Sequence, residues 1–238
     1  MAVPSIGDGS GGFPAAVLWD MDGTLVDSEK LWDVALYEAA DWLGGGLTEA
    51  DRASLVGSNM DSTARFLLRM AQREPLPAAI AEVGEWIRGR TATLFTDELP
   101  WRPGAREALA AIQVAGVPSA LVTSTERGLT ELALNTIGRE YFDVTVCGDE
   151  VGGQNKPHPR PYLLAAELLG VEATQCVAVE DSPPGAMSAE AAGCTVLVVP
   201  NDVAVDAGER RVFRHSLVGV DASVLAGLAD PRGVQSME

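Results

Sequence analysis

The run Ala15-Ala16-Val17-Leu18-Trp19, followed at once by Asp20-Met21-Asp22-Gly23-Thr24, decides the fold. Five apolar residues ending in two carboxylates have the pattern of a strand buried on both faces whose C-terminal end opens onto a site. Side chains two apart in an extended chain point the same way, so Asp20 and Asp22 can face one pocket. A plain Asp-Gly turn accounts for these residues about as well when they are taken alone. Similar apolar runs recur at 117–122, 144–146, 176–179 and 195–199. Between them lie helical patterns at 106–115, 165–170 and 186–192, the last stopped by Gly193. Strands alternating with helices predict an α/β fold, a parallel sheet with helices on both faces.

Residues 29–98 break that alternation. Trp32, Ala35, Leu36, Ala39 and Leu43 recur at helical spacing, and 65–72 and 79–94 continue the helical pattern without a convincing strand. They read as a helical insertion with hinges near 27–29 and 97–103. The main domain then comprises 13–28 and 99–238, and the Gly- and Ser-rich residues 1–12 read as a flexible tail.

Asp and Glu number 34 against 17 Lys and Arg, a formal charge of −17 among 238 residues. Such a field repels nucleic acid and anionic membranes, so neither is expected as a partner, and an acidic ligand needs a local positive site. No apolar run approaches the roughly 18 residues of a membrane span, and no secretory pattern opens the chain. A cytoplasmic monomer is expected. Cys147, Cys176 and Cys194 lie in apolar surroundings without a CxxC pair and read as buried thiols. With only His158 and His215 as histidines, any metal should be held by oxygen.

Three more strand ends carry polar groups. Thr123 follows the run at 117–122, where a hydroxyl and free backbone N–H groups make an anion site, although Thr123 and Glu126 also have capping-box spacing. Lys156 stands in Asn155-Lys156-Pro157-His158-Pro159, a stiffened loop around one cation that could equally be solvated. Glu180-Asp181 ends the run at 176–179 and could hold a divalent cation, while Asp181 or Ser182 would also cap a helix before Pro183. Each feature alone is ordinary; the series at successive strand ends is not.

With these four motifs in view, the chain resembles the haloacid dehalogenase-like hydrolases that carry a helical cap after the first strand. The resemblance runs from about residue 14 to 225 and includes Asp27-Ser28, Gly57 and the Lys-Pro-His-Pro run. Within that family it is most similar to sugar phosphatases with Asp-Ser-Glu-x-Leu-Trp, here residues 27–32, and next to β-phosphoglucomutases. The resemblance implies a Rossmann-like core, a cap at 29–98, and magnesium-dependent hydrolysis of small phosphomonoesters, such as sugar or polyol phosphates, through an aspartyl-phosphate. It implies Asp20 as nucleophile, Asp22 as general acid and base, and Thr123 and Lys156 as catalytic partners. Gly23, Thr24 and Ser124 are expected to bind the phosphoryl group, and Glu29, Trp32 and Gly57 to face the substrate from the cap side. Magnesium falls to Asp20, Asp181 and the Asp22 backbone carbonyl, with Glu180 as an outer partner. Trp32 is expected to be partly structural, Trp42, Trp86 and Trp101 to pack, and Met60 and Met70 to fill the cap interior.

The nearest alternative is a phosphosugar mutase, but β-phosphoglucomutases usually have His at the position of Trp32 and Arg near Met60. A dehalogenase has little use for Asp22. A catalytically silent phosphate-binding or signalling protein is a further alternative, but a receiver module needs no helical cap.

Overall fold

The computed structural model describes residues 12–96 and 99–229. Residues 1–11 of the expected tail, and Asp97 and Glu98 of the second expected hinge, lie outside them. The first strand, β1 (Ala16–Trp19), leads through the acidic loop into four helices, α1 (Glu29–Trp42), α2 (Glu49–Ser54), α3 (Met60–Met70) and α4 (Pro77–Leu94). The alternating part follows as α5 (Ala105–Val114), β2 (Ser119–Val122), α6 (Arg127–Ile137), β3 (Val144–Val146) and α7 (Arg160–Leu169). It ends with β4 (Cys176–Glu180), α8 (Pro183–Ala191), β5 (Thr195–Val198), β6 (Arg211–Phe213) and α9 (Ala222–Ala229). The sheet is six-stranded, in the order β3-β2-β1-β4-β5-β6, with every pairing parallel. This is the doubly wound arrangement that the alternation predicts.

The period of two in the strands divides the core. Val17, Trp19, Leu121, Val177, Val179 and Leu197 face α5, α6 and α9 on one side. Ala16, Leu18, Ala120, Val122, Ala178 and Val196 face α7 and α8 on the other. Both sets are buried, which is why these strands read as unbroken apolar runs. The strand β6 was not expected: it is a three-residue edge strand with Arg211 and no apolar run. The single-turn-scale α2 and the terminal α9 were not expected either.

The helices α1, α3 and α4 share an apolar cluster of their own, with Leu36, Ala39, Ala64, Leu67, Leu68, Val83 and Ile87 at its centre. Trp42 stacks on Trp86 at 5.6 Å between ring centroids. The chain enters and leaves this helical body through adjacent segments: Val26 bridges Trp101, Asp27 N–H donates to the Pro100 carbonyl at 2.7 Å, and Arg102 N–H donates to that of Leu25 at 2.9 Å. Among the described residues no helix is long and apolar enough to cross a membrane. All three cysteines are buried and unpaired.

Candidate active site

The sheet order reverses at β1, whose neighbours β2 and β4 are reached by connections on opposite faces. Ligands in open α/β sheets bind outside the strand C-termini at such a point. Here the ends of β1, β2 and β4 bring together Asp20, Thr123 and the Glu180-Asp181 pair, and the loop before α7 adds Lys156.

Lys156 is 6% exposed and saturated. Its ammonium donates to Asp20 Oδ1 at 2.6 Å, Glu180 Oε1 at 2.6 Å and the Val122 carbonyl at 3.0 Å, which uses all three protons. Burial alone would lower its pKa; the charges of Asp20 and Glu180 outweigh that and hold it above the ordinary lysine value. It therefore acts as a fixed positive charge beside Asp20. Glu180 is the anchor. Its Oε1 also accepts from Tyr162 Oη at 2.6 Å, and its Oε2 accepts from the N–H groups of Asp181 and Ser182 and from Ser182 Oγ. Both oxygens are filled by protein donors, so Glu180 fixes the lysine and the start of α8. Gly185 has to be glycine at that point, since a Cβ there would come within 1.9 Å of Glu180 Oε1.

Asp20, Glu180 and Asp181 each offer a carboxylate oxygen, all within 4.8 Å of one another. Three acids facing one ammonium leave an excess of negative charge. Burial and then the charge of Glu180 push Asp20 up to about 8, with Lys156 opposing them. Burial and the charge of Asp20 push Asp181 well above the usual carboxylate range. An all-oxygen, electron-rich and under-neutralised donor set suits a hard divalent cation. The group thus fits the metal site that the sequence leads one to expect.

Gly23 and Thr24 lie on this acidic side, not along the cavity. Thr24 Oγ1 donates to Asp181 Oδ1 at 3.3 Å. Gly23 spends its N–H on the Val26 carbonyl, and at φ +82° a Cβ would come within 2.1 Å of Asp181 Oδ2. Nearby, Asn201 Nδ2 is buried without a hydrogen-bond partner among the described residues.

Asp22 faces the other way. Its Oδ1 accepts from Ser28 Oγ at 2.6 Å and from the Trp32 indole N–H at 3.0 Å, its Oδ2 from Thr125 Oγ1 at 2.8 Å and Thr123 Oγ1 at 3.3 Å. The Thr123 hydroxyl accepts from Thr125 N–H and makes no capping bond to α6, whose first turn has no side-chain cap. Ser28 precedes α1 but gives its hydroxyl to Asp22 rather than to the helix. Trp32 also packs on Phe95, edge to face at 6.0 Å, so it has a structural side as well.

These groups line a cavity of about 60 Å³ between the sheet ends and α1–α3. Ser124 Oγ, on its wall, is buried and without a hydrogen-bond partner among the described residues. From the helical side come Glu29, Leu36, Arg52, Leu55 and Met60, so Met60 is both filler and wall. Glu29 forms a buried ion pair with Arg52, which also grips Asp33. Gly57, at φ +72°, sits against the start of α8, where a Cβ would lie 2.7 Å from Pro184 Cγ. Sequence reasoning missed Thr125, Tyr162 and Arg52, and singled out Ser28 only within the Asp27-Ser28 pair, without its bond to Asp22. Thr125 was within reach, because it lies two residues beyond Thr123 and so shares its side of an extended segment.

A doubly wound sheet with an acid pair, a hydroxyl and a second acid pair at its strand ends, and a buried lysine from the loop before α7, defines a class of α/β hydrolase. The chain belongs to the haloacid dehalogenase-like hydrolases, whose family model matches residues 14–193. It is 32% identical to hexitol phosphatase B of Escherichia coli, over 78% of this chain and 83% of that one. It is 33% identical to the plasmid phosphoglycolate phosphatase of Cupriavidus necator, over 85% and 88%. Among solved structures it is similar to a CbbY mutant from Rhodobacter sphaeroides in complex with xylulose-(1,5)bisphosphate, with a TM-score of 0.76, 28% identity and coverage of 87% and 96%.

Proposed function

We propose that the chain is a magnesium-dependent phosphatase acting on small phosphorylated carbohydrates. The observation that carries this reading is the position of Asp20: Lys156 binds its Oδ1, while its Oδ2 takes no hydrogen bond from the described residues beside the cavity. In this reading Asp20 attacks phosphorus, an aspartyl-phosphate forms, and the ester P–O bond breaks. Asp22 gives its proton to the departing alkoxide, then takes one from the water that cleaves the intermediate. The proton belongs on Oδ2: the hydroxyls of Thr123 and Thr125 can turn to accept, whereas the Trp32 N–H on Oδ1 can only donate. Ser124 Oγ, without a partner in the wall, is suited to a phosphoryl oxygen. Magnesium held by Asp20, Asp181 and the Asp22 carbonyl would neutralise charge between carboxylate and phosphate.

Helices α1–α4, residues 29–98 in our division of the chain, serve as a cap that excludes water. A monomer suffices, since one chain supplies every group named here. Three unpaired, buried thiols fit a cytoplasmic setting. The mutase alternative has less support, since Trp32 holds Asp22 and Met60 puts an apolar side chain on the cap wall. The test is phosphate release from a panel of small monoesters with magnesium, with and without chelator. Release that stops with chelator and in Asp20→Asn is expected; undiminished release in either case contradicts the assignment.

A further inference from the structure

The chain that follows β5 brings one more polar side chain to the acidic cluster. Val198, the last residue of β5, is paired with Glu180 at the end of β4. One residue on, Val199 N–H donates to the Glu180 carbonyl at 2.7 Å, so the two segments stay side by side past the strand ends. Asn201, two residues further, therefore arrives near Asp181, which follows Glu180 directly.

The two side chains meet over Gly23. A Cβ on that glycine would lie 2.1 Å from Asp181 Oδ2 and 3.3 Å from Asn201 Nδ2, so the carboxylate oxygen and the amide nitrogen crowd into the same space that the missing side chain leaves open. Their polarities match, because an amide nitrogen donates and a carboxylate oxygen accepts. Neither is used. Among the described residues Asn201 Nδ2 is buried without a partner, and Asp181 Oδ2 takes no hydrogen bond. The whole Asp181 carboxylate has one donor among them, Thr24 Oγ1, on Oδ1 at a long 3.3 Å. Glu180, one residue earlier, is the contrast: both of its oxygens are filled by protein donors. A carboxylate that binds a metal needs such donors to fix its orientation, and Asp181 is short of one.

We infer that Asn201 is a positioning residue for Asp181: in the metal-loaded protein its amide donates to Asp181 Oδ2, so that Asn201 and Thr24 grip the carboxylate from its two oxygens and hold it toward the divalent cation. Each oxygen keeps a further lone pair for the cation. The donor comes from the loop after β5, a strand that supplies nothing else to the site. This rests on the magnesium reading of the acidic cluster, and direct binding measurements separate the two.

Magnesium titration into the chelator-treated full chain by calorimetry tests it, with Asn201→Leu, which keeps the bulk and removes the donor, and Asn201→Ala beside it. Both variants should bind magnesium about 10-fold more weakly than the unaltered protein. Their metal-free Tm should not fall, because the change removes a buried donor that has no partner. With saturating magnesium, kcat for p-nitrophenyl phosphate should return to within about 2-fold. If the unaltered protein binds no magnesium, the metal reading falls and this inference with it. If it binds and the variants bind equally well, only the role of Asn201 is overturned. A lowered metal-free Tm, or a loss of kcat that saturating magnesium does not restore, assigns Asn201 to the fold or to the chemistry and overturns the inference as well.

Discussion

Asp20 and Glu180 share Lys156, yet their surroundings give them opposite tasks. Glu180 is fully enclosed by donors and cannot leave them without exposing a buried charge, which makes it a fixed support. Asp20 has an uncommitted oxygen and too little positive charge nearby. This has a measurable consequence for stability. Burial and Glu180 raise Asp20 from 3.8 to about 8. Across that window the folded protein keeps a proton that the unfolded chain releases, so metal-free stability falls as pH rises through it, by up to ~1.4 kcal/mol per pH unit for one group. Asp181 is shifted in the same direction. Protons and cation compete for the same oxygens, so magnesium should raise the Tm of chelator-treated protein more at about pH 8 than at about pH 5. A shift that is equal at both, or larger in acid, contradicts the assignment of metal to these carboxylates.

The loop between α2 and α3 meets the sheet domain at one tight point. Gly57 there has a left-handed backbone and faces Pro184 and Ser182 at 2.7 and 3.1 Å from a would-be Cβ. Gly44 has a similar φ, +80°, but open space around it. Gly57→Ala and Gly44→Ala should each lose about 1–2 kcal/mol through backbone strain. Only Gly57→Ala should raise KM several-fold, because only there is the helical body pushed off α8; thermal melts beside steady-state kinetics check this, and a matching KM change in Gly44→Ala would contradict it. The elements differ in how far the sequence revealed them. The strands β1, β2, β4 and β5 were legible because burial on both faces leaves unbroken apolar runs. The edge strand β6 and the six-residue α2 have too few residues for a period to show. The strand ends gave away Asp20, Asp22, Thr123 and Asp181, whereas Lys156, also expected at a strand end, comes from the loop between β3 and α7. How they divide did not show, because it depends on partners such as Thr125, 103 residues from Asp22, and on Arg52, 23 residues from Glu29. Gly23 and Thr24 illustrate the same limit: adjacent to the acid pair in sequence, they turn to Asp181 in space.

At the scale of the molecule, a chain with formal charge −17 handles an anion by keeping positive charge local. Strand ends far apart in sequence converge on one ammonium and one cluster of carboxylates, and α1–α4 close over them with Trp32 reaching Asp22. In the proposed chemistry a carboxylate of this cluster carries the phosphoryl group. Rapid mixing with a turned-over monoester, quenching into borohydride and peptide mass spectrometry test it most directly, since an acyl phosphate is reduced to the alcohol. Homoserine is expected at position 20 and nowhere else. Reduction at another carboxylate, or none while phosphate is being released, would contradict it.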